Sequence, residues 1–186
     1  AIAGAPGFTI ENVGVNPTRT GLLDILKLMG ADIRVHPRAG AGAEPVADIE
    51  VRASGLRGIR VPEELVPLAI DEFPILFIAA ACADGETIVT GAGELRVKES
   101  DRIEAVTDGL QSFGARIHSR DDGWTITGVP TRLRGGRMDA RGDHRIAMLA
   151  TVAGLASREG AAIEGAETAA ISFPGFYDLL ESVTRR

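Results

Sequence analysis

A single cysteine, Cys82, leaves no partner for an intramolecular disulfide and excludes a Cys-based metal cage. Positive charge is in deficit: 20 Lys+Arg stand against 26 Asp+Glu, a net charge of −6, which argues against a general affinity for nucleic acid. No apolar run reaches the ~18 residues of a membrane span. No basic-then-apolar leader opens the chain, so a cytoplasmic location is expected. The phosphate loops G-x-G-x-x-G and G-x-x-x-x-G-K-[ST] are missing as well, which removes the main support for Rossmann and P-loop readings. Gly91-Ala92-Gly93 lacks the third glycine and reads as a turn. What is present is an ordinary apolar fraction of 45%, 25% charged residues, 23 glycines and only 4% aromatics across 186 residues. That mixture suits small, repeated α/β units joined by tight turns.

Repetition is visible directly. Leu26-Lys27-Leu28-Met29-Gly30-Ala31-Asp32-Ile33 matches Leu110-Gln111-Ser112-Phe113-Gly114-Ala115-Arg116-Ile117. Each copy joins an amphipathic stretch to a short strand through a glycine placed as a helix C-cap. Upstream, Gly7-Phe8-Thr9-Ile10 and Gly85-Glu86-Thr87-Ile88 alternate as half-buried strands, and Gly160-Ala161-Ala162-Ile163 is a third copy. The three glycines lie 78 and 75 residues apart. Residues 75–83 and 146–156 are apolar nearly all round, which predicts buried helices ahead of the second and third copies. Residues 1–5 read as the tail of the corresponding first helix. Residues 173–183 read as the amphipathic helix of a third unit whose next strand is not seen. The expectation is therefore an α/β domain of three repeats, at about 7–84, 85–159 and 160–186, incomplete at its N-terminal end. Gly40 to Ala43 reads as a loop tip, Ile49-Glu50-Val51-Arg52 as a strand, and Asp121-Asp122-Gly123 before Trp124 as a hairpin turn.

Charge collects unevenly. Between Arg96 and Arg145 ten Lys/Arg face eight Asp/Glu, a locally basic stretch that suggests a small-anion site rather than a polyanion track. Its densest part is Arg96-Val97-Lys98-Glu99-Ser100-Asp101-Arg102, ahead of apolar residues at helical spacing. Lys98 and Arg102, four apart, are expected to share the first turn of a helix, whose N-terminus itself attracts anions. On charge alone a solvated helix start with surface salt bridges is the favoured reading of this cluster. A second cluster, Arg141-Gly142-Asp143-His144-Arg145, enters a buried helix with Asp143 as its N-cap. Asp71-Glu72-Phe73-Pro74 holds the equivalent place before the other buried helix, so repeat symmetry is expected to bring these mouths together. Asp71 is either an N-cap or a site carboxylate. His36 and His118 read as surface residues, Cys82 as an inert thiol within a buried helix, and Trp124 as packing for the hairpin.

Together, R-V-K-E-S-D-R at 96–102, G-D-H-R-I-A-M at 142–148 and N-P-T-R-T-G at 16–21 resemble the 5-enolpyruvylshikimate-3-phosphate synthase family. V-P-L-A-I-D-E-F-P at 66–74 and S-F-P-G-F-Y at 172–177 agree in order and spacing. The first two motifs separate it from the UDP-N-acetylglucosamine enolpyruvyl transferases, which use a different charged set and a reactive cysteine. The resemblance implies a pseudo-threefold domain of βαβ-type units with buried helices and outer sheets, one of two such domains with substrates between them. This chain is similar to the C-terminal one, whose partner would be the N-terminal domain of the same polypeptide. The implied reaction moves the enolpyruvyl group of phosphoenolpyruvate to the 5-hydroxyl of shikimate 3-phosphate, in aromatic amino acid biosynthesis. No metal or organic cofactor is implied, nor a nucleic acid or membrane partner.

Carried over by position, the resemblance makes Asp71 the base and Glu99 the proton shuttle at the methylene carbon. It assigns Arg102 and Arg145 to phosphoenolpyruvate, Lys98 to shikimate 3-phosphate, and His144 to the neighbourhood of both. The chain departs from some members at Glu94, where they have Asn, and at Ile171, where they have Lys. The chain alone is expected to be inactive. The alternatives are a stand-alone anion-binding module that kept the fold, and an enzyme of the same fold such as an RNA 3′-phosphate cyclase. The latter requires nucleotide-binding features that this sequence lacks.

Overall fold

The computed structural model describes residues 7–39 and 44–184. The expected helix tail at 1–5 and loop tip at 40–43 lie outside the described residues. Three units follow one another. The first is strand β1 (Gly7–Gly14), helix α1 (Gly21–Leu28), β2 (Asp32–Pro37) and β3 (Val46–Arg52). After helix α2 (Phe73–Ala81) the second repeats this order with β4 (Gly85–Val89), α3 (Arg102–Ser112), β5 (Arg116–Arg120) and β6 (Gly123–Gly128). After strand β7 (Gly136–Asp139) and helix α4 (His144–Ala156) the third opens in the same order with β8 (Ala161–Glu164) and α5 (Phe176–Thr184).

The first two units are βαββ rather than simple βαβ. β3 lies between β1 and β2 and is antiparallel to both, and β6 lies likewise between β4 and β5. The two strands flanking α1, and likewise those flanking α3, are thus parallel but not neighbours. Gly30 and Gly114, at φ +97° and +84°, end α1 and α3 in the left-handed region that a residue with a Cβ resists, so the motif read as a C-cap is one.

A seam joins each unit to the next. The Arg57–Arg60 segment runs parallel to β4, with Gly58 N–H donating to the Asp84 carbonyl at 2.7 Å and Val61 N–H to that of Ile88 at 2.9 Å. A Cβ at Gly58 would stand 2.3 Å from the Glu86 carbonyl oxygen, so only glycine admits this approach. β7 pairs in parallel with β8 at the corresponding place.

α2 is apolar all round because it lies at the centre. Phe73, Leu76, Phe77, Ile78, Ala80 and Ala81 are buried there. Trp124, inward on β6 and fully buried, meets Phe77 edge-on with ring centres 4.5 Å apart and donates its indole N–H to the Ile103 carbonyl at 3.2 Å. It is therefore a core residue more than a hairpin one. α4 departs from expectation: Ile146, Ala147, Leu149, Ala150 and Ala153 are buried, but Leu155 is exposed. The third sheet has only β7 and β8 among the described residues, too little to cover that side. α5 is amphipathic as read, with no residue buried.

Cys82 caps α2 and is half-buried instead of lying inside the helix. Burial pushes its thiol up, against a weaker backbone hydrogen bond from Leu133, which keeps it protonated and unreactive. His36 is exposed but not alone, since its ring sits 3.2 Å from Glu50. His118 is exposed. No helix among the described residues is long and apolar enough to cross a membrane.

Candidate active site at the converging helix mouths

Asp101 begins α3. Its side chain accepts the Glu104 N–H at 3.1 Å while its other oxygen meets Arg96 at 2.9 Å. Asp101→Ala is expected to cost about 1–2 kcal/mol in urea denaturation, nearly all from the lost cap, because a partly exposed ion pair contributes little. This cap also corrects the helical placement of Lys98. The turn Gly93–Val97 ends at Lys98 in extended backbone, and α3 starts only at Arg102. Lys98 and Arg102 therefore do not share a helical turn. Lys98 turns instead to Glu94, its ion-pair partner.

Arg102 points inward, its side chain only 2% exposed. Its Nε donates to Asp143 Oδ2 at 2.8 Å, and its Nη2 reaches Asp143 Oδ1 at 3.3 Å and Glu99 Oε2 at 2.6 Å. Nη1 is the least committed donor, 3.5 Å from Asp71 Oδ1. Asp143, fully buried, does two jobs: it caps α4 by accepting the Arg145 N–H at 2.9 Å, and it holds Arg102. Burial alone would push its carboxyl up. Hydrogen bonds from Arg102, the Arg145 amide and Ser100, with the Arg102 charge, outweigh burial and hold it below the ordinary carboxylate value.

Asp71 resolves an ambiguity of the sequence. It is not a cap, because Glu72 occupies that position and makes no side-chain cap bond. Its Oδ2 lies 3.0 Å from Arg145 Nη2 and 3.6 Å from Arg19 Nη2, while its carbonyl accepts Arg145 Nη1 at 3.1 Å. Arg19, 62% exposed, also reaches Glu72 at 3.6 Å. Asn16 shapes that arm by accepting the Thr18 N–H at 3.0 Å.

The N-terminal ends of α2 and α4 thus converge, as repeat symmetry predicts, and that of α3 joins them through Arg102. Asp71, Glu99, Arg102 and Arg145 form one network; Lys98 and His144 are half-buried at its flanks, and His144 has no side-chain partner among the described residues. Arginine forks and helix N-termini suit anions, while two carboxylates in unlike settings, Asp71 between arginines and Glu99 50% exposed, suit separate proton transfers. Sequence reasoning gave no role to Arg19, saw Asp143 only as a cap, and missed Ser100, whose hydroxyl donates to Asp143 at 3.0 Å. Only the N-P-T-R-T-G motif signalled Arg19. Among the described residues no three His, Cys, Asp or Glu side chains gather as a metal site.

The profile of the EPSP synthase (3-phosphoshikimate 1-carboxyvinyltransferase) family matches residues 1–180. The 3-phosphoshikimate 1-carboxyvinyltransferase of Halorhodospira halophila is 57% identical over 178 residues, covering 95% of this chain and 40% of that protein. Its counterpart in Alkalilimnicola ehrlichii is 54% identical, covering 96% and 40% respectively. The chain thus spans about 40% of the length of these curated relatives. Among solved structures, an EPSP synthase from Acinetobacter baumannii superposes with a TM-score of 0.90 at 48% identity, covering 97% of this chain and 43% of that one. The enolpyruvyl transferase NikO from Streptomyces tendae, at 20% identity and a TM-score of 0.68, covers 97% of this chain and 39% of its own; it shares the fold.

Proposed function

The chain belongs to the EPSP synthase family, and from that premise we propose that it is the C-terminal domain of a 3-phosphoshikimate 1-carboxyvinyltransferase. Its three repeats, at about 7–84, 85–159 and 160–186, would carry the phosphoenolpyruvate side of the active site. The N-terminal domain of the same polypeptide would close over it, in the cytoplasm. The observation that carries this reading is the meeting of Arg102 and Arg145 on one carboxylate, Asp71.

Phosphoenolpyruvate brings a carboxylate and a phosphate, and both need cations. Arg145 is accessible and gives one grip. Arg102 is buried, so a ligand anion reaches it only along Nη1 or by displacing Glu99. Displacement has a chemical use. Once released from the Arg102 guanidinium, the Glu99 carboxyl group is free to turn toward the bound ligand. Glu99 then becomes the acid that protonates the methylene carbon. Asp71, held by Arg145, takes the proton of the 5-hydroxyl as its oxygen bonds to the enol carbon. In the second half the bond from that carbon to the phosphate oxygen breaks, phosphate leaves with the proton that Asp71 had taken, and Glu99 recovers the methyl proton as the double bond forms. Lys98 exchanges Glu94 for shikimate 3-phosphate.

Phosphate release by the full-length protein, dependent on both substrates, tests the function; its absence would refute it. The isolated chain is expected to show no turnover. Within the full-length enzyme, Arg145→Ala should weaken phosphoenolpyruvate binding and Lys98→Ala that of shikimate 3-phosphate. Each loss is expected to be about 10- to 150-fold by calorimetry, the equivalent of ~1.5–3 kcal/mol for a charged hydrogen bond. Unchanged dissociation constants would return both side chains to the solvated surface.

A further inference from the structure

The basic stretch between Arg96 and Arg145 does not all serve the converging helix mouths. Arg116, Arg132 and Arg134 gather with Arg158 at the opposite pole, where α2 and α3 end and the chain leaves α4. They line a cavity of about 260 Å3 to which no acidic residue contributes. The 11 residues of α3 separate it from Arg102 by about 16 Å of helix rise.

Arginines near helix C-termini often serve to satisfy free carbonyls, but here the backbone does that. The Ala81 carbonyl accepts the Val129 N–H at 3.0 Å, and the Phe113 carbonyl accepts the Arg134 N–H at 3.1 Å. The guanidinium groups are left over. Arg158 donates to the neutral Thr131 hydroxyl at 2.8 Å. Among the described residues no carboxylate lies within ion-pair reach of any of the four, whereas Arg96, Arg102, Arg137, Arg141 and Arg145 all have acidic partners. Arg134 is also placed: it lies over Gly114, where a Cβ would come 3.1 Å from its Nε. In a chain of net charge −6, four cations without counter-charges around one concavity call for an anion.

We propose that this cavity binds the phosphate group of a small molecule, at a site separate from the active site. Guanidinium forks match phosphate oxygens in pairs. The cavity is smaller than the roughly 300–1,000 Å3 of pockets for drug-sized ligands, so it accommodates a phosphate or pyrophosphate group and not a whole nucleotide. Free phosphate and a phosphoester present the same chemistry to it.

The test is a titration of the full-length protein with sodium pyrophosphate at constant ionic strength, followed by amide NMR. Saturable shifts are expected at Gly114, Ala115 and Thr127, and Arg132→Gln with Arg134→Gln should weaken that saturation at least about tenfold while leaving shifts at Ser100 and His144 as they were. Both side chains are exposed, so the double variant should melt near the parent; Arg116→Gln with Arg158→Gln is an independent second pair. Parallel titrations with inorganic phosphate and ribose 5-phosphate compare the free ion with an ester. Equal shifts on adding sodium chloride, or unchanged pyrophosphate affinity in both variant pairs, would overturn the proposal.

Discussion

Arg102→Ala is expected to destabilise the fold by about 3–5 kcal/mol, because it leaves the buried Asp143 carboxylate without its main partner. Against a total stability of roughly 5–15 kcal/mol this is a large loss, on the order of 10 °C in melting temperature. Urea denaturation would measure it. Part of the loss should return in Arg102→Met/Asp143→Asn, since asparagine still caps α4 and carries no charge. The pH dependence has a defined sign. In the parent the folded carboxyl of Asp143 binds a proton less readily than the unfolded one. Its contribution is complete above the ordinary carboxylate value, about 3.9, and is lost as pH falls through the lower folded value. In Arg102→Ala that contribution is gone, so the stability gap between variant and parent should narrow in acid. A single variant within about 1 kcal/mol of the parent would mean that the pair does not hold α3 to α4.

Asp71→Asn is the other large effect, in rate. The amide keeps one oxygen, which can face Arg145 or Arg102 but not both, and cannot take a proton. The chemical step of the full-length enzyme should slow ~10²–10⁴-fold, with a smaller change in substrate binding. Glu99→Gln should slow it comparably and also suppress exchange of the phosphoenolpyruvate methylene hydrogens with solvent, which Asp71→Asn should affect less directly. Single-turnover kinetics in deuterated water separates the two. Normal exchange in Glu99→Gln would leave Glu99 only the task of orienting Arg102. A rate within about tenfold of the parent for Asp71→Asn would remove it as the base.

What could be read in advance followed from how far each interaction reaches along the chain. Gly30 and Gly114 announced two helix ends because a C-cap is settled within a few residues. Asp143 announced a helix start for the same reason. The meeting of the helix mouths was legible through repetition, which converts local likeness into spatial symmetry. The Arg102–Asp143 pair was not, since its partners stand 41 residues apart and each had a sufficient local explanation. Lys98 was misplaced because spacing cannot show that a turn ends and an extended residue intervenes before α3. The burial of α4 was overstated because apolar composition reports what a helix could bury, whereas the neighbouring sheet decides what it does.

The seams between units also govern how the molecule comes apart. Because the Arg57–Arg60 segment leaves the first unit to hydrogen-bond along β4 of the second, neither sheet can open without stripping the other's linker. Three look-alike units so joined should lose structure together, not one at a time. The amides of Gly58 and Val61, outside the named strands, and that of Ile88 on the outer edge of β4 should then exchange with solvent as slowly as that of Ile126 in the middle of β6.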